Sequence, residues 1–340
     1  MEKYVFSGSM TQEIHDRLLS CDDFEPIDIL VSQVDKGGVK KAIQWKKELV
    51  NYGTPDENGN YKQTHFCRWF FCDSGAFSVH TGKEHVTQDQ YIDYINSIAE
   101  DIDVCAQLDE IPGKFGVPKC AEDYVVSAEK SWENFLYMRE RVTCPEKVMP
   151  VFHMGEDSKY LKRMLEYVDP EGNHLDYIGL SPANDASVDE RDIFLKDMYH
   201  IIKCSSNPKV KTHIYGFTTL PVMAKYPAYS ADSITYRLLA GYGKIILPDT
   251  GELVAMTSKN RRNRDKNAAN FVDACKHQHD DSRLKYLEKQ VKAANMTFDE
   301  LKDSSHARAA FNLRSIQHLV KTKFAYKESN LARPKKLFEL

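Results

Sequence analysis

The chain has 340 residues, of which 42% are hydrophobic and 28% charged. This is ordinary globular usage and excludes a chain that is disordered as a whole. No apolar run approaches the ~18 residues of a membrane span. The 46 basic and 50 acidic residues give a net charge of −4, which argues against a uniformly basic nucleic-acid-binding coat but permits a local basic groove.

Short β-rich runs alternate with longer helical stretches along the chain. The predicted strands, in chain order, are Ile27–Val31, Phe66–Cys72, Val104–Leu108, Val148–Phe152, Tyr177–Leu180, Thr212–Tyr215 and Lys244–Leu247. The predicted helices between them are Gln88–Glu100, Glu122–Arg141, Ser158–Tyr167 and Glu190–Lys203. Strand–helix alternation indicates right-handed βαβ units and a parallel sheet.

Polar side chains follow the apolar part of several predicted strands. They are Asp73, Asp109 with Glu110, His153 and Ser181. Barrel active sites collect residues from the carboxyl ends of many strands, whereas an open sheet concentrates them at one switch point. We therefore predict an α/β fold in which residues 1–250 form a (β/α)8 TIM-like catalytic barrel.

The residue pattern of the sequence changes after residue 250, and we predict a small C-terminal helical subdomain over residues 251–340. It begins with the polar, basic stretch 257–267, TSKNRRNRDKN, and continues with the predicted helices Asp280–Ala294 and Phe298–Lys321. The basic stretch would bind nucleic-acid phosphates, or it would be an ordinary solvated loop. The residues concerned are Lys259, Arg261, Arg262, Arg264 and Lys266.

Four segments carry chemistry-bearing residues, although no Walker loop, GxSxG elbow, HExxH pair or dinucleotide fingerprint is present. They are Phe71–Ser78, Ala106–Gly113, His213–Thr218 and Tyr229–Tyr236. Each is weak by itself. A strand-end aspartate can simply cap a turn, and an Asp-Glu pair can simply begin a helix.

Taken together and in this order, the motifs resemble those of the tRNA-guanine transglycosylase superfamily over roughly residues 66–236. The matching residues are Asp73–Phe77, Asp109-Glu110, Gly179-Leu180, Tyr215-Gly216 and Ser230–Asp232. The chain departs from the tRNA enzymes at Ala76, at His153-Met154-Gly155, at Gly179-Leu180-Ser181 and in the segment after Asp232. These departures look more like the phage and bacterial DNA-guanine transglycosylases, the DpdA-like branch.

The resemblance implies a pentosyltransferase that exchanges guanine in DNA for a 7-deazaguanine of the preQ0 type. Asp232 would be the nucleophile on C1′ and would form a covalent Asp–deoxyribose intermediate, while Asp73 would be the general acid/base. Asp109 would accept hydrogen bonds from the guanine edge, and Phe77 and Tyr215 would sandwich the base. The remaining base contacts would come from Ser74, His153, Gly179, Leu180 and Gly216.

The same resemblance sets the expected cofactors and surroundings. We expect no organic cofactor, a nucleic-acid partner with DNA favoured over tRNA, a free 7-deazaguanine base as second substrate, and no membrane. The N-terminus lacks the apolar core of a signal peptide and the eight cysteines are scattered, so we expect a cytoplasmic protein, in the host cytoplasm if a phage encodes it. The oligomeric state stays open.

A structural zinc site is predicted in the C-terminal part. Cys275, His277 and His279 form a C-x-H-x-H pattern, and His306 follows further along. Thiolate and imidazole ligands suit tetrahedral zinc, and the superfamily binds a structural zinc in the corresponding region with different ligand types. Histidines on a helix surface give the same pattern without a metal.

Three other functions stay open at this stage. The first is the same chemistry on tRNA, because both substrates need the same base pocket. The second is a catalytically silent nucleic-acid-binding subunit, which the presence of both Asp73 and Asp232 argues against. The third is an unrelated barrel hydrolase that uses the same carboxylates with water and leaves an abasic product.

Overall fold

A nine-stranded parallel sheet forms the centre of the molecule. The structure, a computed structural model, describes residues 2–183, 185–216, 225–257, 272 and 281–323. The strands of the described residues, inside and outside this sheet, are β1 (Lys3–Ser7), β2 (Ile27–Ser32), β3 (Leu49–Tyr52), β4 (Lys62–His65), β5 (Cys67–Asp73), β6 (Val104–Ala106), β7 (Val148–Met149), β8 (Val151–His153), β9 (Tyr177–Ser181), β10 (Lys211–Ile214), β11 (Ser230–Ser233), β12 (Lys244–Ile246) and β13 (Leu253–Ala255). The order in the sheet is β7-β6-β5-β2-β1-β11-β10-β9-β8.

The sheet nearly closes into a barrel at Pro150. The two strands at the ends of the order, β7 and β8, follow one another in the chain with only Pro150 between them. Proline has no N–H to donate to a strand ladder, so it interrupts the pairing of what is otherwise one extended stretch. β7 pairs with β6 and β8 pairs with β9, both in parallel. The fold is therefore a mixed α/β structure around a nearly closed parallel barrel, as the strand–helix alternation predicts.

Helices connect most of the parallel strands. In the described residues they are α1 (Gln12–Leu19), α2 (Lys36–Lys47), α3 (Ala76–His80), α4 (Gln88–Ser97), α5 (Ala121–Arg139), α6 (Ser158–Glu166), α7 (Val188–Lys203), α8 (Thr235–Gly241), α9 (Asp281–Ala293), α10 (Phe298–Asp303) and α11 (Ser305–Thr322). Capping boxes begin α4 at Thr87 and α7 at Ser187, where a hydroxyl accepts from a backbone N–H that the helix leaves unpaired. Within the described ranges, none of the helices combines the length and the apolar character that a membrane span needs.

Two apolar cores lie on the two faces of the barrel sheet. The smaller core contains Val5, Leu30, Trp69, Phe71, Val104, Ala106, Met149 and Tyr177. Their neighbours along the strands belong to a larger core shared with the helices, because successive strand residues point to opposite faces. On β5 this alternation puts Asp73 on the same face as Trp69 and Phe71, which is the inside of the barrel.

The structure differs from the predicted elements in three respects. Lys244–Leu247 is not a strand of the parallel sheet, because β12 pairs antiparallel with β13 in a separate two-stranded sheet. The predicted helix Phe298–Lys321 is two helices that divide at Ser304, whose side chain accepts a hydrogen bond from the N–H of Ala307 and caps the second helix. The sheet also contains β1 and β11, which the list of predicted strands lacks.

The helix α11 packs against α8 and β12 and is tied to them by buried polar contacts. Asn312 is fully buried; its Oδ1 accepts from Ile246 N at 2.7 Å, and its Nδ2 donates to Tyr236 O at 3.1 Å. Arg308 Nε donates to Ala240 O at 2.8 Å. Buried polar groups that are fully paired hold one arrangement of the elements that they join. The division of the chain at residue 250 stays a prediction.

Candidate active site

Three aspartates from distant parts of the chain meet at the carboxyl end of the barrel. Asp73 ends β5, Asp109 follows β6 and Asp232 lies in β11. All three act together on the hydroxyl of Tyr215, whose pKa each of them raises. Asp109 and Asp232 also both raise the pKa of Asp73. The three carboxylates are therefore close enough to share one electrostatic environment.

The Asp232 carboxylate is held by groups from β1, from β10 and from the turn after β10. Its Oδ2 accepts a short hydrogen bond from the Ser7 hydroxyl at the end of β1. Its Oδ1 accepts from the N–H of Gly216 at 2.8 Å and lies 3.2 Å from Nε2 of His213. The His213 ring is fully buried, and its Nδ1 lies 2.5 Å from the Ser230 hydroxyl. This network fixes the direction in which a nucleophilic oxygen of Asp232 can point.

Asp73 lies in a tight turn that depends on a glycine. Its Oδ2 accepts from the N–H of Gly75 at 3.0 Å. Gly75 has φ of +79°, and a Cβ there would lie 2.7 Å from the Ser32 hydroxyl oxygen, so the position favours glycine for conformation and for space. Burial raises the pKa of Asp73 from 3.8 to about 7, and the neighbouring Asp109 is the next contributor. A carboxyl with this pKa can both give and take a proton near neutral pH.

Asp109 is paired with a buried histidine. Its Oδ2 lies 2.8 Å from Nε2 of His153, and its Oδ1 accepts from the Ser74 hydroxyl at 3.3 Å. Burial alone would lower the pKa of His153, but Asp109 and Glu156 outweigh burial and the pKa is raised. A carboxylate has about four lone-pair positions, so Asp109 keeps capacity for two further donors.

Glu156 is a second buried carboxyl behind this pair. It is 8% exposed, and its Oε2 accepts from the backbone N–H of His153 at 3.0 Å. Burial raises the pKa of Glu156 to about 7, although the nearby His153 opposes the rise. The backbone of His153 is thus held by Glu156 while its ring contacts Asp109, which fixes the position of the imidazole.

Tyr215 places its hydroxyl in the field of the three aspartates. The ring packs directly on Gly179, where a Cβ would lie 2.8 Å from the ring carbon Cε2, so only glycine leaves room for this tyrosine. The buried hydroxyl has no hydrogen-bond partner within the described parts of the chain. Burial raises the pKa of Tyr215 well above 10, so the phenol keeps its proton and can donate it in a hydrogen bond.

The other predicted base contacts occupy different surroundings. Phe77 is 49% exposed on α3, and its ring meets Phe115 edge-on, so the predicted sandwich of a base between Phe77 and Tyr215 stays a prediction. Leu180 is fully buried, and its carbonyl already accepts from Tyr215 N at 2.9 Å. Gly179 N likewise donates to the carbonyl of Pro150 at 2.7 Å, so both backbones take part in the sheet.

Two cavities open beside the paired His153 and Asp109. The larger, of about 460 Å³, reaches His153 and Ser181, and the smaller, of about 250 Å³, reaches Asp109. Asp73 and Asp232 line neither of these two cavities. Of the predicted base contacts, Asp109, His153 and Phe77 therefore border open space.

The remaining predicted site residues fall mainly outside the described residues. These are the phosphate-binding candidates Lys259, Arg261, Arg262, Arg264 and Lys266 and the zinc-ligand candidates Cys275, His277 and His279. The fourth zinc candidate, His306, is described, and its Nδ1 lies 2.7 Å from Oε2 of Glu13. Among the described residues there is no cluster of three or more His, Cys, Asp or Glu side chains that could hold a metal ion. Zinc binding stays a prediction.

Ser7, His213 and Glu156 are site residues that the sequence analysis did not assign. Ser7 ends a strand that was not predicted, and Glu156 lies in the turn after β8. His213 could have been found, because it belongs to the His213–Thr218 segment and lies two positions before Tyr215, on the same face of a strand.

Comparison with known proteins does not identify a family for this chain, so the function is argued from the site. Neither a scan against protein-family models nor a search of curated proteins gave a match for this chain.

Proposed function

We propose that this protein is a DNA-guanine transglycosylase, a pentosyltransferase that replaces guanine in DNA with a 7-deazaguanine base. Counting β7 and β8 as one strand, we also propose that the barrel is a (β/α)8 TIM-like barrel with its active site at the carboxyl end. The observation that supports this function best is the meeting of Asp73, Asp109 and Asp232 at one barrel mouth, with the pKa of Asp73 raised to about 7. Exchange of a glycosidic base needs a nucleophile, a proton donor and a base-recognition group, and these three residues can fill those roles.

In the first half-reaction the target guanine leaves its sugar. An oxygen of Asp232 attacks C1′ while the bond from C1′ to N9 of guanine breaks, and the electron pair of that bond stays on the purine. Asp73 gives its proton to the leaving guanine. The products are a covalent ester between Asp232 and the deoxyribose, neutral guanine, and an ionised Asp73.

In the second half-reaction the incoming 7-deazaguanine reverses these steps. Asp73 takes the proton from N9 of the incoming base, N9 attacks C1′, and the bond from C1′ to Asp232 breaks. Both carboxyls return to their starting protonation states. A pKa of about 7 suits a group that must donate in one half-reaction and accept in the other.

The paired Asp109 would select the base. Guanine and its 7-deaza analogues present N1–H and an exocyclic amine side by side, and an anionic carboxylate accepts both. His153 and Ser74 hold the two oxygens of Asp109 from the other side, at 2.8 and 3.3 Å. An asparagine here would offer one acceptor and one donor and would match this edge poorly.

The most direct test incubates the protein with candidate 7-deazapurines and either DNA or tRNA, digests the nucleic acid and measures nucleosides by mass spectrometry. We expect a 7-deazadeoxyguanosine in the DNA samples and none with Asp232→Ala. The surface variant Asp197→Asn, on α7 away from the barrel mouth, is the control and should match the wild type. A modified nucleoside only in tRNA would move the substrate to tRNA. Abasic sites would show that water replaces the incoming base, and no change in either polymer would contradict the proposal.

A further inference from the structure

The loop between β6 and α5, residues 107–120, exposes large apolar side chains at the barrel mouth. Phe115 is 64% exposed and Val117 is 54% exposed. The Phe115 ring meets Phe77 and His80 edge-on, with centroid distances of 6.4 and 6.2 Å. Exposed apolar side chains that gather in one place on a protein surface commonly mark a binding site.

These three rings stand at the entrance to the predicted base-recognition residues. Phe77, His80 and Phe115 all line the cavity of about 460 Å³ that reaches His153. His80 and Phe115 also line the cavity of about 250 Å³ that reaches Asp109. We call the two cavities, with the three rings and the other residues that line them, the aromatic pocket. A molecule in the aromatic pocket would lie next to whatever Asp109 and His153 bind.

The charges of the aromatic pocket favour an anionic ligand. Lys114 and Lys119 are exposed and both line the larger cavity, where Asp185 is the acidic residue. The two acidic residues of the smaller cavity are paired: Glu110 lies 3.2 Å from Nζ of Lys130, and Asp109 lies 2.8 Å from Nε2 of His153. Burial lowers the pKa of His80 and the nearby Lys119 lowers it further, so its ring is neutral at physiological pH. Two cations beside neutral rings match the phosphates and bases of a nucleic-acid strand.

We infer that the aromatic pocket binds the unpaired nucleotides next to the target guanine, with bases stacked on Phe115 and phosphates near Lys114 and Lys119. The inference rests on the proposed function, because a base that reacts inside the barrel must first leave its helical stack. Removal of the target base leaves its neighbours without a stacking partner. Aromatic side chains can replace that partner for any base, since every base has a π-face.

The test measures binding of a fluorescent single-stranded DNA oligonucleotide that contains one guanine, by fluorescence anisotropy. Phe115→Ala should weaken binding about tenfold, since one stacking contact is lost. The control is Leu49→Ala in β3, because Leu49 is 61% exposed and lies outside the aromatic pocket. High exposure at both positions leaves the fold unaffected by either truncation, which thermal unfolding would verify.

A second measurement addresses the phosphates. Lys114→Gln and Lys119→Gln should each flatten the dependence of log affinity on log salt concentration by about 0.7, while Lys41→Gln on α2 should leave the slope unchanged. Equal affinity of Phe115→Ala and wild type, or a slope that neither lysine change alters, would overturn the inference. Tighter binding of an RNA strand through Phe115 would support the pocket and point to tRNA. If the protein binds the oligonucleotide through Phe115 but does not exchange bases, the proposed function is contradicted while the binding role of the aromatic pocket stands.

Discussion

Replacing Asp73 by asparagine should stabilise the fold near neutral pH while it stops base exchange. The folded protein raises the pKa of Asp73 from its ordinary 3.8 to about 7. The folded state therefore holds this proton more tightly than the unfolded chain does, and the free energy of unfolding falls as pH rises from about 4 to about 7. Above about 7 the ionised carboxylate destabilises the fold by a constant amount. Asparagine removes this effect and its oxygen can still accept from the N–H of Gly75.

The size of the gain follows from the pKa and from the remaining solvent contact. A rise from 3.8 to about 7 corresponds to a ceiling of about 4 kcal/mol at high pH. Asp73 is only partly buried, so solvent screens part of this cost, and we expect a gain of about 1–2 kcal/mol. For a chain of this size, such a gain raises the melting temperature by roughly 2–5 °C.

Differential scanning fluorimetry at pH 4.5, 6 and 8 measures this effect. The difference between Asp73→Asn and wild type should be smallest at pH 4.5 and largest at pH 8. Asp197→Asn, on the exposed face of α7, should show no such trend. A melting temperature at pH 8 no higher than that of the wild type would refute the reasoning, and so would a gain that is the same at all three pH values.

Three further predictions follow from the geometry of the barrel mouth. Asp109→Asn should weaken competition by free guanine at least tenfold. It should also shift to lower pH the limb of the pH–rate profile that Asp73 sets in each half-reaction, because removal of a neighbouring negative charge lowers the pKa of Asp73; an unchanged profile would contradict their coupling. Tyr215→Phe should slow exchange about tenfold without loss of melting temperature, since the hydroxyl has no described protein partner; wild-type kinetics would show that it contacts no substrate. Gly75→Ala should destabilise the fold by about 1–3 kcal/mol in chemical denaturation, because its Cβ would lie 2.7 Å from a hydroxyl oxygen. Gly82→Ala is the control, because Gly82 has φ of +69° but open space where a Cβ would lie. An equal loss of stability in Gly82→Ala would show that backbone strain alone causes the effect.

The sequence predicts the general architecture because the alternation of strands and helices is strong. Six predicted strands, from Ile27–Val31 to Thr212–Tyr215, correspond to strands of the parallel sheet. The expectation that polar residues after different strands meet at one end is also supported for Asp73, Asp109 and His153. Parallel strands bring their carboxyl ends to one mouth, so position along each strand is enough to predict this much.

The missed strand β11 has a local pattern that does not suggest a central strand. The residues of β11 are Ser230–Ser233, SADS, and two of them face the site, so the strand lacks the apolar alternation of a buried strand. Lys244–Ile246 has an apolar pattern but pairs with β13, and a local pattern cannot distinguish a parallel from an antiparallel partner. The contacts of Asp232 with Ser7 and His213 depend on the pairing of β11 with β1 and β10, which joins residues far apart in the chain.

The most direct test of the central claim follows isotopically labelled guanine into DNA, because exchange of guanine for guanine needs no knowledge of the natural incoming base. Mass spectrometry of the digested DNA should find labelled deoxyguanosine with the wild-type protein and Asp197→Asn, and none with Asp232→Asn or Asp73→Asn. Incorporation of label by Asp232→Asn at the wild-type rate would contradict the assignment of the nucleophile and, with it, the mechanism.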